Sequence, residues 1–133
     1  MASAAGWGWI VIAALSAATS IAIGAFAAHG LDASTAAGAK AREWLQTGSH
    51  YALIHALAMV AVAALSRGAV LHGGAALAGQ CLFLLGSVLF SGALYALAFG
   101  GPRWFGAVAP FGGTAFILGW LSVALAALSV RGG

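Results

Sequence analysis

The amino-acid sequence predicts an all-α protein: an integral membrane four-helix bundle with a short amphipathic interfacial helix between spans 1 and 2. Three observations predict it. Of 133 residues, 63% are hydrophobic and only 5% are charged, against about 25% charged in water-soluble domains. So few charges cannot cover the surface of a soluble protein, so most of the solvent is lipid. The apolar residues gather in four long uncharged runs, and one polar stretch, 30–48, holds Asp32, Lys40, Arg42 and Glu43, four of the seven charged side chains.

The first run, Gly6–Ala28, is 23 residues without a charge. As a helix it covers roughly 34 Å, enough for about 30 Å of hydrocarbon. Trp7 and Trp9 at its start suit an interfacial aromatic belt. Ser20, Gly24 and Ala28 recur every fourth position, a small-residue stripe that lets a second helix approach closely. Ala25-Phe26-Ala27 has the form of a signal-peptide cleavage site, but no basic region precedes the run and the run is long for a signal peptide. The expectation is therefore a retained span.

Between about 34 and 48 the spacing of Ala37, Ala41, Trp44/Leu45 and Gly48 places one apolar stripe on a short helix, with Lys40 and Glu43 off it. Asp32 or Ser34 is expected to cap it. The expected helix lies on the membrane interface, anchored by Trp44, or continues straight into the next span with Gly48 as its weak point.

The second span, 49–66, carries His50, Tyr51 and His55 and stops at Arg67-Gly68. The connection from Arg67 to His72 is short, so spans two and three are antiparallel neighbours. His50 and His72 are read as interfacial. The third span, 74–98, repeats small residues every seven positions at Gly79, Gly86, Ala93 and Gly100, a seam suited to a left-handed crossing. Gln80, Ser87, Ser91 and Tyr95 add polar atoms. Cys81, the sole cysteine, excludes an internal disulfide and reads as a small buried hydrophobe. Gly100-Gly101-Pro102-Arg103-Trp104 reads as a turn with Arg103 and Trp104 as interface anchors. The fourth span, 108–130, is expected to hold Pro110 in its first turn, and Gly112, Gly119 and Ala126 repeat the seven-residue seam. Residues 1–133 are thus read as a single transmembrane domain. Basic residues divide three against two between the sides, which fixes no orientation.

This pattern bears on chemistry. There is no Lys/Arg cluster for nucleic acid. No carboxylate lies in a span, so carboxylate metal sites and carboxylate proton relays lack their groups, and no Ser/His/Asp set can form. Five polar side chains are left to form a cluster: His29, Tyr51, His55, Ser91 and Tyr95. Antiparallel threading brings their segments toward one membrane face. The structural reading is a hydrogen-bonded clamp between helices. The functional readings are a small site for a lipid headgroup, quinone or proton, or a haem held by two histidines.

Four stretches carry a family resemblance. Gly24-Ala-Phe-Ala-Ala-His-Gly-Leu31 resembles a Gly-Ala-Phe-Gly-Ala-His-Gly-Leu signature. Tyr51-Ala-Leu-Ile-His-Ala-Leu-Ala58 resembles Tyr-x-x-x-His-Ala-Leu-Ala, and Leu89-Phe-Ser-Gly-Ala-Leu-Tyr95 resembles Leu-Phe-Ser-Gly-Ser-Leu-Tyr. Ala109-Pro-Phe-Gly-Gly113 with Gly119-Trp120 resembles Thr-Pro-x-Gly-Gly and Gly-Trp. These are signatures of the family of bacterial YgdD and eukaryotic transmembrane protein 256, a domain of unknown function (423). Ile54 and Ala52 depart from its pattern, where a second Tyr and a polar residue are expected. The resemblance implies a four-helix inner-membrane or mitochondrial protein and brings no established activity.

The expectation for function is a non-enzymatic helix-packing protein in the bacterial inner membrane, multi-pass, with no cofactor and no metal. Its partners would be membrane lipid and either further copies of itself, as a homo-oligomer, or a larger membrane complex that it serves as accessory subunit. The alternatives are a small-solute or proton channel or transporter, and a quinone- or haem-binding anchor.

Overall fold

The structure is a computed structural model of the chain, and residues 4–71 and 73–131 are described. His72 lies outside them. All regular structure among the described residues is helical. Helix α1 runs Ala4–His29, α2 Ala36–Arg67 and α3 Gly73–Gly86. A π-helical turn, Ser87–Ser91, joins α3 to α4, Gly92–Ala98, and α5 runs Phe105–Arg131. Among the described residues, four helical stretches are long and apolar enough to cross a membrane.

The separate interfacial helix is corrected. Residues 36–67 form one continuous helix of 32 residues, about 48 Å long, well beyond the hydrocarbon thickness. Gly48 does not break it, because Gly48 is buried and packed against Tyr95. The cap is corrected too. Thr35, in extended conformation, accepts a hydrogen bond at Oγ1 from the Gly38 N–H at 3.0 Å. Asp32 instead forms a turn before the cap, accepting from the Ser34 hydroxyl and backbone N–H. The Ser34 hydroxyl, then its N–H, holds the Asp32 carboxyl below its ordinary range.

Two helical hairpins make the molecule. α1 packs along α2, and α3 packs along α5. α2 joins the hairpins by contacting α3, the π turn and α4, and is the most enclosed of the four spans. α4 ends in a Schellman motif. The Gly101 N–H bonds the Ala96 carbonyl at 2.7 Å and the Gly100 N–H bonds that of Leu97. Gly100 adopts φ +82°, which a side chain would oppose. Gly100 is therefore an exposed turn residue and no part of the seam.

α5 starts earlier than expected, at Phe105, so Pro110 sits in the second turn rather than the first. It leaves the Gly106 carbonyl without its helical partner.

Between α3 and α5 the seam is a reciprocal zipper. Gly79, Phe83, Gly86 and Phe90 face Val123, Gly119, Phe116 and Gly112 in that order. A Cβ on Gly79 would lie 3.1 Å from Val123, and one on Gly119 2.7 Å from Phe83. One on Gly86 would run into Phe116, and one on Gly112 into the backbone of Phe90. The Phe116 and Phe83 rings fill the space that Gly86 and Gly119 leave open, while Gly79 admits Val123 and Gly112 admits the Phe90 backbone. Ala126 and Ala93 are also buried.

The α1 seam differs from the four-residue stripe. Ala13, Ser20 and Ala27 are the buried positions, while Gly24 and Ala28 are half-buried at its flank. A four-residue repeat drifts about 40° per step round a helix, whereas a seven-residue repeat drifts about 20°. Two long helices lying nearly along one another therefore keep the seven-residue set in contact. Gly24 still faces Ser49, 3.8 Å from its would-be Cβ.

Candidate functional site

The five expected polar residues do not form one cluster. The structure divides four of them between two places and leaves His29 out.

His55 sits near the middle of the bundle, where α2, α3 and α5 meet, and is 4% exposed. Its Nδ1 lies 2.7 Å from the Tyr51 carbonyl one turn back, and the Trp120 indole N–H donates to its Nε2 at 3.2 Å. The carbonyl can only accept and the indole can only donate. The pair therefore selects the tautomer with its proton on Nδ1. Phe116 stacks on the imidazole, with centroids 3.6 Å apart and planes 9° from parallel. Phe83 closes another side at 5.3 Å. Tyr51 is half exposed and lies against Phe90 at 4.9 Å. One helical turn thus gives His55 its backbone acceptor, and the zipper of α3 on α5 gives it the rings.

Trp120, Phe83 and Phe116 were not anticipated as partners of His55. Trp120 was legible only as part of a family-like Gly-Trp pair, and no spacing within one helix links residues 55 and 120. Gln80, also buried, donates from Nε2 to the Met59 carbonyl at 2.9 Å and ties α3 to α2.

Ser91 and Tyr95 belong to the second place, between the hairpins on the side of α1. The Ser91 hydroxyl donates to the Gly48 carbonyl at 2.7 Å. The Tyr95 ring lies over Gly48, whose Cβ, were there one, would sit 2.6 Å from the ring. Next to them runs a groove of about 420 Å³. Leu15, Thr19 and Ser20 of α1 form one wall, Ser87 and Tyr95 the other, and Ala52 of α2 part of the floor.

His29, at the last residue of α1, is exposed. It makes no hydrogen bond to α2, and the clamp expected of it is corrected. The end of α1 is tied instead by apolar contact, with Phe26 6.0 Å from Phe99. A haem held between His29 and His55 is likewise excluded, since His29 lies at a helix end and both nitrogens of His55 are engaged. The shared polar site of His29, His55 and Tyr95 near one face falls with it: His55 is at mid-depth, on the α5 side. Among the described residues no three His, Cys, Asp or Glu side chains group as metal ligands.

Of the expected anchors, Trp7 and Trp104 are exposed. The Arg67 guanidinium lies 5.1 Å from the centre of the Trp7 ring, closing the first hairpin. Trp104 stacks on Phe105 at 4.1 Å, and Arg103 is exposed. Trp44 is half-buried beneath Lys40. Trp9 is half-buried and packs against the core. Cys81 is exposed, not buried, because α3 turns Gly79, Gln80 and Phe83 inward and leaves residue 81 outward. His50 is exposed.

Comparison with known proteins gives one consistent likeness. A model of the family described as "Protein of unknown function (DUF423)" matches residues 23–113. A UPF0382 membrane protein of Haemophilus influenzae is 41% identical over 87% of this chain and 90% of its own. The UPF0382 membrane protein YwdK of Bacillus subtilis is 37% identical over 90% of this chain and 95% of its own. The UPF0382 inner membrane protein YgdD of Escherichia coli K12 is 37% identical over 92% of this chain and 90% of its own. No solved structure matches.

Proposed function

The chain belongs to the DUF423 family of multi-pass inner-membrane proteins, and on that premise we propose that it is a non-enzymatic helix-packing protein. In this reading it acts by association, as a homo-oligomer or as accessory subunit of a larger membrane complex. The observation that carries the reading is His55. It is the one ionisable side chain in the buried set among the described residues, and both its ring nitrogens are engaged in holding α2 to its own turn and to α5. A general base or metal ligand needs a free nitrogen.

The outer faces fit association in lipid. α5 presents Phe111, Ile117, Leu121, Leu125 and Leu128 outward, and α1 presents Val11, Leu15 and Ile21. Lipid or another apolar helix covers such a surface equally well, so packing quality decides which. The test is the mass of the particle extracted in mild detergent, with crosslinking in the native membrane beforehand. A defined oligomer or a reproducible co-purifying membrane complex supports the reading. A lone monomer without crosslinked products overturns it.

A further inference from the structure

The groove between α1 and the π turn holds two of the buried polar atoms that have no partner among the described residues, Ser87 Oγ and Tyr95 Oη; the other two, Ser49 Oγ and Gln80 Oε1, lie outside it. Most hydroxyls on these helices bond their own backbone one turn back. Thr19 donates to the Leu15 carbonyl and Ser20 to that of Ser16, as do Ser122 and Ser129 on α5. Ser91 crosses to Gly48. Ser87 and Tyr95 do neither. Both line the groove, both hydroxyl oxygens are buried, and neither has a partner. Ser87 is 9% exposed. An unpaired hydroxyl in hydrocarbon is costly, and this pair stands on the two sides of the π turn. There the Gly92 N–H reaches back to the Ser87 carbonyl, a local widening that recurs at functional sites.

Three features narrow the occupant. No charged residue lines the groove, so a phosphate, carboxylate or haem propionate would find no counter-charge. The hydroxyl protons of Thr19, Ser20 and Ser91 are already engaged, so the donors on offer are Ser87 and Tyr95, with the Ser16 hydroxyl on the facing wall, and they ask for acceptor oxygens. The groove also reaches deep. Leu15–Ser20 is the middle of α1 and Ser87 the middle of its span, well inside the hydrocarbon, while Tyr95 stands three residues from the end of α4, toward the membrane edge. We infer that this groove binds an uncharged lipid whose carbonyl oxygens can enter the membrane interior and accept hydrogen bonds from Ser87 and Tyr95. Its volume, about 420 Å³, is in the range of small-molecule sites.

Two lipid classes carry that chemistry, a prenylated or alkylated quinone and a diacylglycerol, and separate arms of one experiment distinguish them. The full chain, purified in detergent, is titrated with decylubiquinone and, separately, with dioleoylglycerol, and bound lipid is read by native mass spectrometry. Saturable one-to-one binding of either is expected. Gly92→Leu fills the groove from a position where an added Cβ meets nothing within 4 Å, and should weaken that binding at least tenfold. Ser87→Ala with Tyr95→Phe should weaken it about tenfold while leaving the groove open. Leu15→Trp, on the exposed wall, serves as a second blocking variant if Gly92→Leu does not fold. No saturable binding of either lipid overturns the inference, and so does binding that survives the blocking variant unchanged. Neither result bears on the oligomer or complex proposed above, which is read by particle mass.

Discussion

The two hairpins leave two gaps between them, and the molecule treats the gaps in opposite ways. On the α5 side the space is filled: His55, Phe116, Phe83 and Trp120 interlock, and both imidazole nitrogens have partners. On the α1 side it stays open as a groove, walled by small residues and hydroxyls, with Ser87 and Tyr95 unpartnered. The lesson concerns polar groups in lipid. A buried histidine is tolerated where aromatic rings wrap it and both nitrogens are engaged. A hydroxyl is tolerated by folding back on its own helix. Ser87 and Tyr95 use neither solution and line an open groove, where a ligand can satisfy them.

The strongest way to break this contrast is to add one methyl group on each side. Gly112→Ala drives a Cβ into the backbone of Phe90 and should destabilise by about 3 kcal/mol. Gly92→Ala, facing open space, should be neutral or gain about 0.5–1 kcal/mol from helix propensity. Reversible unfolding in mixed micelles, followed by far-ultraviolet circular dichroism, reads both. Equal effects would erase the difference between the closed seam and the open groove.

His55→Ala comes next. It empties the space under Phe116 and leaves the Trp120 N–H without its partner, for a loss of about 3 kcal/mol. Trp120→Phe keeps a ring there while removing the hydrogen bond and part of a half-exposed indole, so a smaller loss of about 1 kcal/mol is expected in the same assay. The hydroxyl pair sharpens the comparison further. Ser91→Ala should cost about 0.6 kcal/mol, since it deletes a bond between helices. Ser87→Ala should cost nothing or stabilise slightly in lipid-free detergent, because it removes a buried group with no partner.

The smallest effect lies outside the membrane. The hydroxyl and N–H of Ser34 favour ionised Asp32, so its folded-state pKa is below the ordinary 3.8. The stability it lends is therefore present above about pH 4 and is lost as pH falls through the lowered pKa. Asp32 is fully exposed, so the check is its own titration by carbon-detected NMR. The midpoint should lie below 3.8 and should move back up in Ser34→Ala.

Much of the fold was legible because lipid imposes simple rules. Length and absence of charge place the spans, and the seven-residue spacing of Gly79 with Gly86 and of Gly112 with Gly119 anticipates where backbones come close. The rings that fill those notches were not legible. Phe83 and Phe116 look like ordinary membrane residues until the facing helix is known. The fate of His55 was hidden for the same reason, since its partner is 65 residues away and one sequence carries no pairing information. His29 misled because its position at the end of a span satisfied depth, while nothing in the sequence reported which way it faced. The π turn was invisible as well: Ser87 to Ser91 reads as continuous helix, and one extra residue in the turn changes which side chains reach the groove.

The length of α2 has a practical consequence. At 32 residues the helix outruns the bilayer, so its first turns stand in the headgroups or water, and there they carry Lys40, paired with Glu43 at 3.0 Å on an exposed face. The chain has no other lysine. Acylation of that amine by a membrane-impermeant reagent, in right-side-out and inverted vesicles, would therefore assign every loop to its compartment from a single modified peptide.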